Sequence, residues 1–122
     1  MRILVTFAVE NEFAPWRRMR DFRRAAVAEP SLFEARVGTS EICAVLTGMG
    51  AQHARRALQI ALTDGADVCI STGLAGALQP RHRIGDVLVA RAVRAAAGEG
   101  YVKSDAKLRH AAKSCGAREV NV

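Results

Sequence analysis

The chain opens on a β-branched apolar run, Ile3–Ala8, which predicts a buried strand almost at the terminus. The stretch ENEFAPWRRMRDFRRAA follows, with acids and Pro15 at its front and arginines at its back. That polarity suits a helix with Pro15 in an early position. Leu32–Val37 and Glu41–Thr47 flank a Gly-Thr-Ser turn and predict a hairpin. Over Ala51–Thr63, Ala54, Ala57, Leu58, Ala61 and Leu62 fall on one helical face, and Gly65 supplies the stop. Val68–Thr72 predicts a short strand, and Asp86–Val93 another. Ser104 caps a last helix over Asp105–Ser114, Gly116 ends it, and the terminal Val-Asn-Val begins a further strand.

Strands alternating with helices imply an α/β fold in three layers: a mixed, largely parallel sheet flanked by helices, with the hairpin adding antiparallel pairing. In such sheets ligands collect outside the carboxyl ends of the strands. Three segments fall there. Glu10 and Glu12 follow the first strand, Gly48–Gly50 follows the strand ending at Thr47, and Gly73–Gly76 follows the strand ending at Thr72. Glycine-rich backbone and carboxylates on one rim make a small-molecule site.

Composition narrows the picture. A length of 122 residues suggests one compact domain, and half of the residues are hydrophobic. The net charge is +6, carried almost wholly by arginine. It permits anion or nucleic-acid binding without establishing either. Arg17, Arg18, Arg20, Arg23 and Arg24 form one run, but such runs are more often solvated faces, and no interleaved aromatics favour stacking on single strands. No nucleic-acid partner is expected. Cys43, Cys69 and Cys115 are odd in number, with no Cys-x-x-Cys, and Cys43 and Cys69 sit in apolar runs where Cys packs as a small hydrophobe. No stretch approaches the ~20 apolar residues of a membrane span. A cytoplasmic protein without a membrane partner is the expectation.

Each candidate motif has a plainer meaning beside the chemical one. Thr-Gly-Met-Gly before a helix suggests a dinucleotide fingerprint, but His53 stands where the third glycine belongs. The helix start at Ala51 can attract an anion, or the glycines can simply make a tight turn. Glu10 and Glu12 can be catalytic carboxylates, or acids that favour a helix start. His53, His82 and His110 lack metal spacing. Phe13 and Trp16 can stack on a ring, with core packing the commoner role.

Taken together, FAVENEF, TGMG, STGLAGAL and IGDVLVA, in that order, resemble the nucleoside phosphorylase and nucleosidase superfamily. The branch with methylthioadenosine/S-adenosylhomocysteine nucleosidase, futalosine hydrolase and the hopanoid-associated phosphorylase-like proteins is most similar. The resemblance implies cleavage of the bond between ribose and a purine, by water or phosphate, through an oxocarbenium-like ribosyl unit. It implies that Glu12 positions the nucleophile. It implies that Val9, Met49, Gly50, Gly73, Leu74, Ala75 and Gly76 border the nucleoside. No metal or organic cofactor is implied, with phosphate open as a co-substrate.

Three departures accompany the resemblance. Hydrolases of the family often carry Ser where Leu74 stands, and Leu cannot donate that hydrogen bond. The loop also offers no Arg for phosphate. The family's purine-protonating Asp and ribose-gripping Glu segment have no counterpart here, so residues 1–122 are expected to be the N-terminal half of a nucleoside phosphorylase-like domain, incomplete as an enzyme alone. An open sheet edge favours self-association, with a homodimer the simplest form. A noncatalytic remnant or nucleoside-binding module is the alternative.

Overall fold

In a computed structural model the described residues are 1–26, 29–94 and 100–121. They form two compact units, Met1–Ala75 and Gly76–Val122.

The first unit is a five-stranded mixed sheet with one helix packed against each face. Its strands are β1 (Arg2–Phe7), β2 (Arg23–Ala26), β3 (Ser31–Val37), β4 (Ser40–Leu46) and β5 (Val68–Ser71), in the order β2-β3-β4-β1-β5. Strand β1 runs parallel to both β4 and β5, with Ile3 opposite Ile42 and Val68. The hairpin β3–β4 is antiparallel, and β2 adds to it antiparallel. The α/β fold with a mixed sheet between helices is thus the one the hydrophobic pattern implies.

Alternation along β1 divides the core. Val5 and Phe7 face α1 (Glu10–Met19), where they join Phe13, Phe33, Ile42 and Ala44. Leu4 faces α2 (Ala51–Ala61), where it joins Cys43, Val45, Ala57 and Ala61. Small alanines on α2 let the helix lie close to the sheet. Phe13 is fully buried, and its ring lies 5.0 Å from both Phe22 and Phe33.

The structure departs from the hydrophobic pattern at several places. The arginine-rich segment is not one helix: α1 ends at Met19, Arg20 is extended, and Arg23–Ala26 is strand β2. Phe22 docks on Phe13 and Trp16, and that packing turns the chain from helix into sheet. Pro15 lies in the middle of α1 rather than early in it, so the helix loses one interior backbone hydrogen bond. Leu62 lies beyond α2 and is exposed. Cys69 is exposed on the edge strand β5, whereas Cys43 is buried. Burial pushes the Cys43 thiol up.

The second unit holds β6 (Leu88–Ala90) parallel to β9 (Arg118–Val120), and β7 (Ala92–Val93) antiparallel to β8 (Val102–Lys103). The run Asp86–Val93 is therefore two short strands in two sheets, not one. Helix α3 (Ala106–Ser114) is capped by Asp105, not Ser104. The Asp105 carboxylate accepts from the Lys107 and Leu108 N–H groups at 2.9 Å. Of the terminal Val-Asn-Val, Val120 closes β9, and Val122 lies outside the described residues. Among the described residues no helix is long and apolar enough to cross a membrane.

Candidate active site

Because β4, β1 and β5 are adjacent and parallel, their carboxyl ends share one edge of the sheet. The chain leaves that edge three times, at Ala8–Glu10, Thr47–Gly50 and Thr72–Ala75. The three segments singled out by the hydrophobic pattern meet there.

Glu12 sits in the first turn of α1, where its charge is favourable to the helix dipole. Its Oε2 accepts from the Ala8 N–H at 2.9 Å and, more weakly, from the Val9 N–H at 3.4 Å. These bonds make half of a capping box, since Val9 has no side-chain acceptor to return. The other oxygen, Oε1, accepts from the Leu74 N–H at 2.9 Å, across 62 positions of sequence. Helix capping does not require this last bond. The Leu74 N–H, opposed by partial burial and helped by the Ala8 and Val9 N–H groups, holds the Glu12 carboxyl below its ordinary value. The group is therefore a carboxylate at neutral pH, aimed along the rim.

Gly73 makes the approach possible. A Cβ there would lie 2.8 Å from Glu12 Oε1 and 3.2 Å from its Cδ. By contrast, a Cβ on Gly76 would meet nothing within 4 Å among the described residues. Gly76 opens the second unit, and the structure does not join it to the Glu12 cluster.

On the α2 side of the same edge a cavity of about 290 Å³ lies between the strand ends and the helix start. Thr6, Thr47, Ser71 and Thr72 bring hydroxyl-bearing residues to it, and Ala54 and Leu58 close it from the helix. Gly48 and Gly50 border it, and Gly50 is the α2 N-cap at φ +93°, a conformation that favours glycine. Thr47 Oγ1 donates within the turn, to Gly48 O at 2.9 Å. Met49 and Leu74 are 75% and 83% exposed, two apolar side chains presented at the rim rather than packed beneath it. Val9 is half-buried at the N-cap of α1, and Ala75 is exposed at the end of the loop.

A larger cleft of about 790 Å³ opens at the amino edge of the sheet, the opposite end from Glu12. Its walls carry arginines and acids in near balance, among them Arg2, Arg18, Glu34 and Asp64. Glu10 is not part of the rim cluster, since its carboxylate pairs with Arg17 at 2.6 Å. Phe13 and Trp16 pack against Phe7 and Phe22 and are core residues. Among the described residues no group of three or more His, Cys, Asp or Glu could hold a metal.

The sequence profile of the phosphorylase superfamily matches residues 2–122. No curated protein matches the chain. The fold is similar to that of Helicobacter pylori MTAN, with a TM-score of 0.80 at 17% identity, over 98% of this chain and 64% of that one. It is similar to Campylobacter jejuni 5'-methylthioadenosine/S-adenosyl homocysteine nucleosidase, with a TM-score of 0.78 at 21% identity, over 98% of this chain and 61% of that one. It is also similar to a futalosine hydrolase mutant of H. pylori strain 26695, with a TM-score of 0.81 at 15% identity, over 99% of this chain and 62% of that one. The chain thus spans less than two thirds of the length of these structures.

Proposed function

The chain belongs to the phosphorylase superfamily, and from that premise we propose that it serves in cleaving the N-glycosidic bond of an adenosine-type purine nucleoside. The observation that carries this reading is Glu12, a carboxylate fixed by three backbone N–H groups at the shared carboxyl edge of β4, β1 and β5. A carboxylate has about four lone-pair directions, so one acceptor direction is left, on Oε1. A water molecule donating there is oriented toward the anomeric carbon. As the ribosyl unit gains positive character, the fixed negative charge favours the attacking oxygen's loss of a proton. A lowered pKa makes Glu12 a weak base at rest, so its main service is orientation. Phosphate is the second nucleophile to consider, with the α2 N-terminus as the anion-favouring feature near the rim.

Val9, Met49, Gly50, Gly73, Leu74 and Ala75 are the proposed nucleoside contacts. The exposed apolar faces of Met49 and Leu74 suit a ribose and its 5' substituent. The solved relatives named for methylthioadenosine and futalosine support a purine nucleoside as the substrate class. A second reading is a nucleoside-binding module without turnover. The exposed apolar side chains of Met49 and Leu74 at the rim fit binding as well as cleavage. Self-association, in the simplest case as a homodimer, is part of both readings. The exposure of β5, where Ile70 is 38% exposed, supports it.

The deciding experiment is chromatographic detection of free base after incubation with methylthioadenosine, S-adenosylhomocysteine, adenosine and inosine, with and without phosphate. The chain and any longer product of its reading frame are both assayed. Base release supports cleavage. Calorimetric binding without release supports the module, and neither result sinks both.

A further inference from the structure

We infer that Gly73 is a positioning residue for Glu12: its missing side chain lets the backbone after β5 close on the carboxylate, and the Leu74 N–H then orients Oε1, the oxygen left with a free acceptor direction for a nucleophile. Three observations carry this. A Cβ at residue 73 would stand 2.8 Å from Oε1 and 3.3 Å from Oε2, so any other residue would force the Glu12 carboxylate to shift from its present place. The Leu74 N–H donates to Oε1 at 2.9 Å, while Oε2 is occupied by Ala8 and Val9. The strand beneath is held in register, since Thr72 N donates to Thr6 O at 3.1 Å and Ser71 pairs with Thr6. The loop therefore approaches Glu12 from a rigid base.

The donor is backbone, so the arrangement does not depend on the side chain at position 74. Leu74 holds the carboxylate as well as a serine would and leaves its own side chain on the rim. The catalytic meaning of this placement rests on the nucleosidase reading. The placement itself can be read without turnover.

The test is an acid titration of the full chain, isotopically labelled and followed by NMR at the Glu12 carboxyl carbon and the Leu74 amide. The Leu74 amide proton is expected to move with the Glu12 midpoint. Gly73→Ala and Leu74→Pro are expected to raise that midpoint, one by steric displacement and the other by deleting the donor. Leu74→Ala keeps the N–H and is expected to leave the midpoint in place. A Leu74 amide that stays flat while Glu12 titrates overturns the inference, as does a Gly73→Ala midpoint equal to the parent's. Should Gly73→Ala fail to fold, the parent amide titration and Leu74→Pro decide the matter alone. Absence of base release beside an intact titration removes the nucleosidase reading and leaves the positioning role standing.

Discussion

Glu12 carries a structural and a chemical task in one side chain, and the two separate by substitution. Removing the carboxylate leaves the Ala8 and Val9 N–H groups without their acceptor at the start of α1. Glu12→Ala is expected to lower stability by about 1 kcal/mol, read from a denaturant midpoint. Glu12→Gln preserves the shape and removes the charge. In an active form of the protein it is expected to slow base release by roughly two to four powers of ten. The pH dependence follows from the direction of the Glu12 shift. A carboxyl held below its ordinary value contributes stability above its unfolded pKa, and that contribution is lost as pH falls through the folded value. The acid limb of a pH–rate profile should accordingly lie below the ordinary glutamate range. A limb at or above that range argues against Glu12 as the titrating group. The position of Glu12 just after an apolar strand was legible in the sequence. Its partners were not, because backbone N–H groups carry no residue signature and Leu74 is distant along the chain.

At the scale of elements, side-chain packing overruled local propensity where the two differed. Arginine favours helices, and the run from Arg17 to Arg24 reads as one. Burying Phe22 in the aromatic cluster and pairing Arg23 with Glu34 across β2 and β3 together select a strand. Phe13 is the residue on which α1 docks, at zero exposure among Phe7, Phe22 and Phe33. Phe13→Ala is expected to destabilise the first unit by about 3–5 kcal/mol, with loss of near-ultraviolet aromatic signal as the readout. Helix α2 was legible almost to its ends, because small apolar residues at helical spacing and glycines on either side leave few alternatives. The short strands β7 and β8 were not. Two residues are too few to show a period, and their pairing depends on a partner across the chain.

At the scale of the whole molecule, the buried hydrophobic residues among those described all lie in Met1–Ala75, from Leu4 to Ala61. The second unit is held mainly by short pairings and partly exposed ion pairs. Glu119 accepts from Arg91 and Arg109 at 2.8 Å each, and Asp86 accepts from Arg118 at 3.2 Å. Native-state hydrogen exchange should therefore show the amides of β1 and β4 most protected and those of β6 and β9 opening first. Equal protection in both units would contradict this assignment of the core. The Arg91 hydrogen bond, chief among its partners, holds Glu119 below its ordinary value, and the Arg83 N–H does the same for Asp86. Both shifts place their contribution above the ordinary carboxylate range and remove it as pH falls, so the opening of β6 and β9 should speed up in acid. The sequence by itself determined the strand and helix periodicity and the three segments on one rim, because each rests on the order and spacing of side chains, whereas Glu12 was singled out from Glu10 only by the family resemblance. Only the tertiary structure decided where α1 yields to β2, which glycine faces the carboxylate, and which N–H closes on it. Those outcomes depend on contacts between residues far apart along the chain, and neither periodicity nor local propensity encodes such distances.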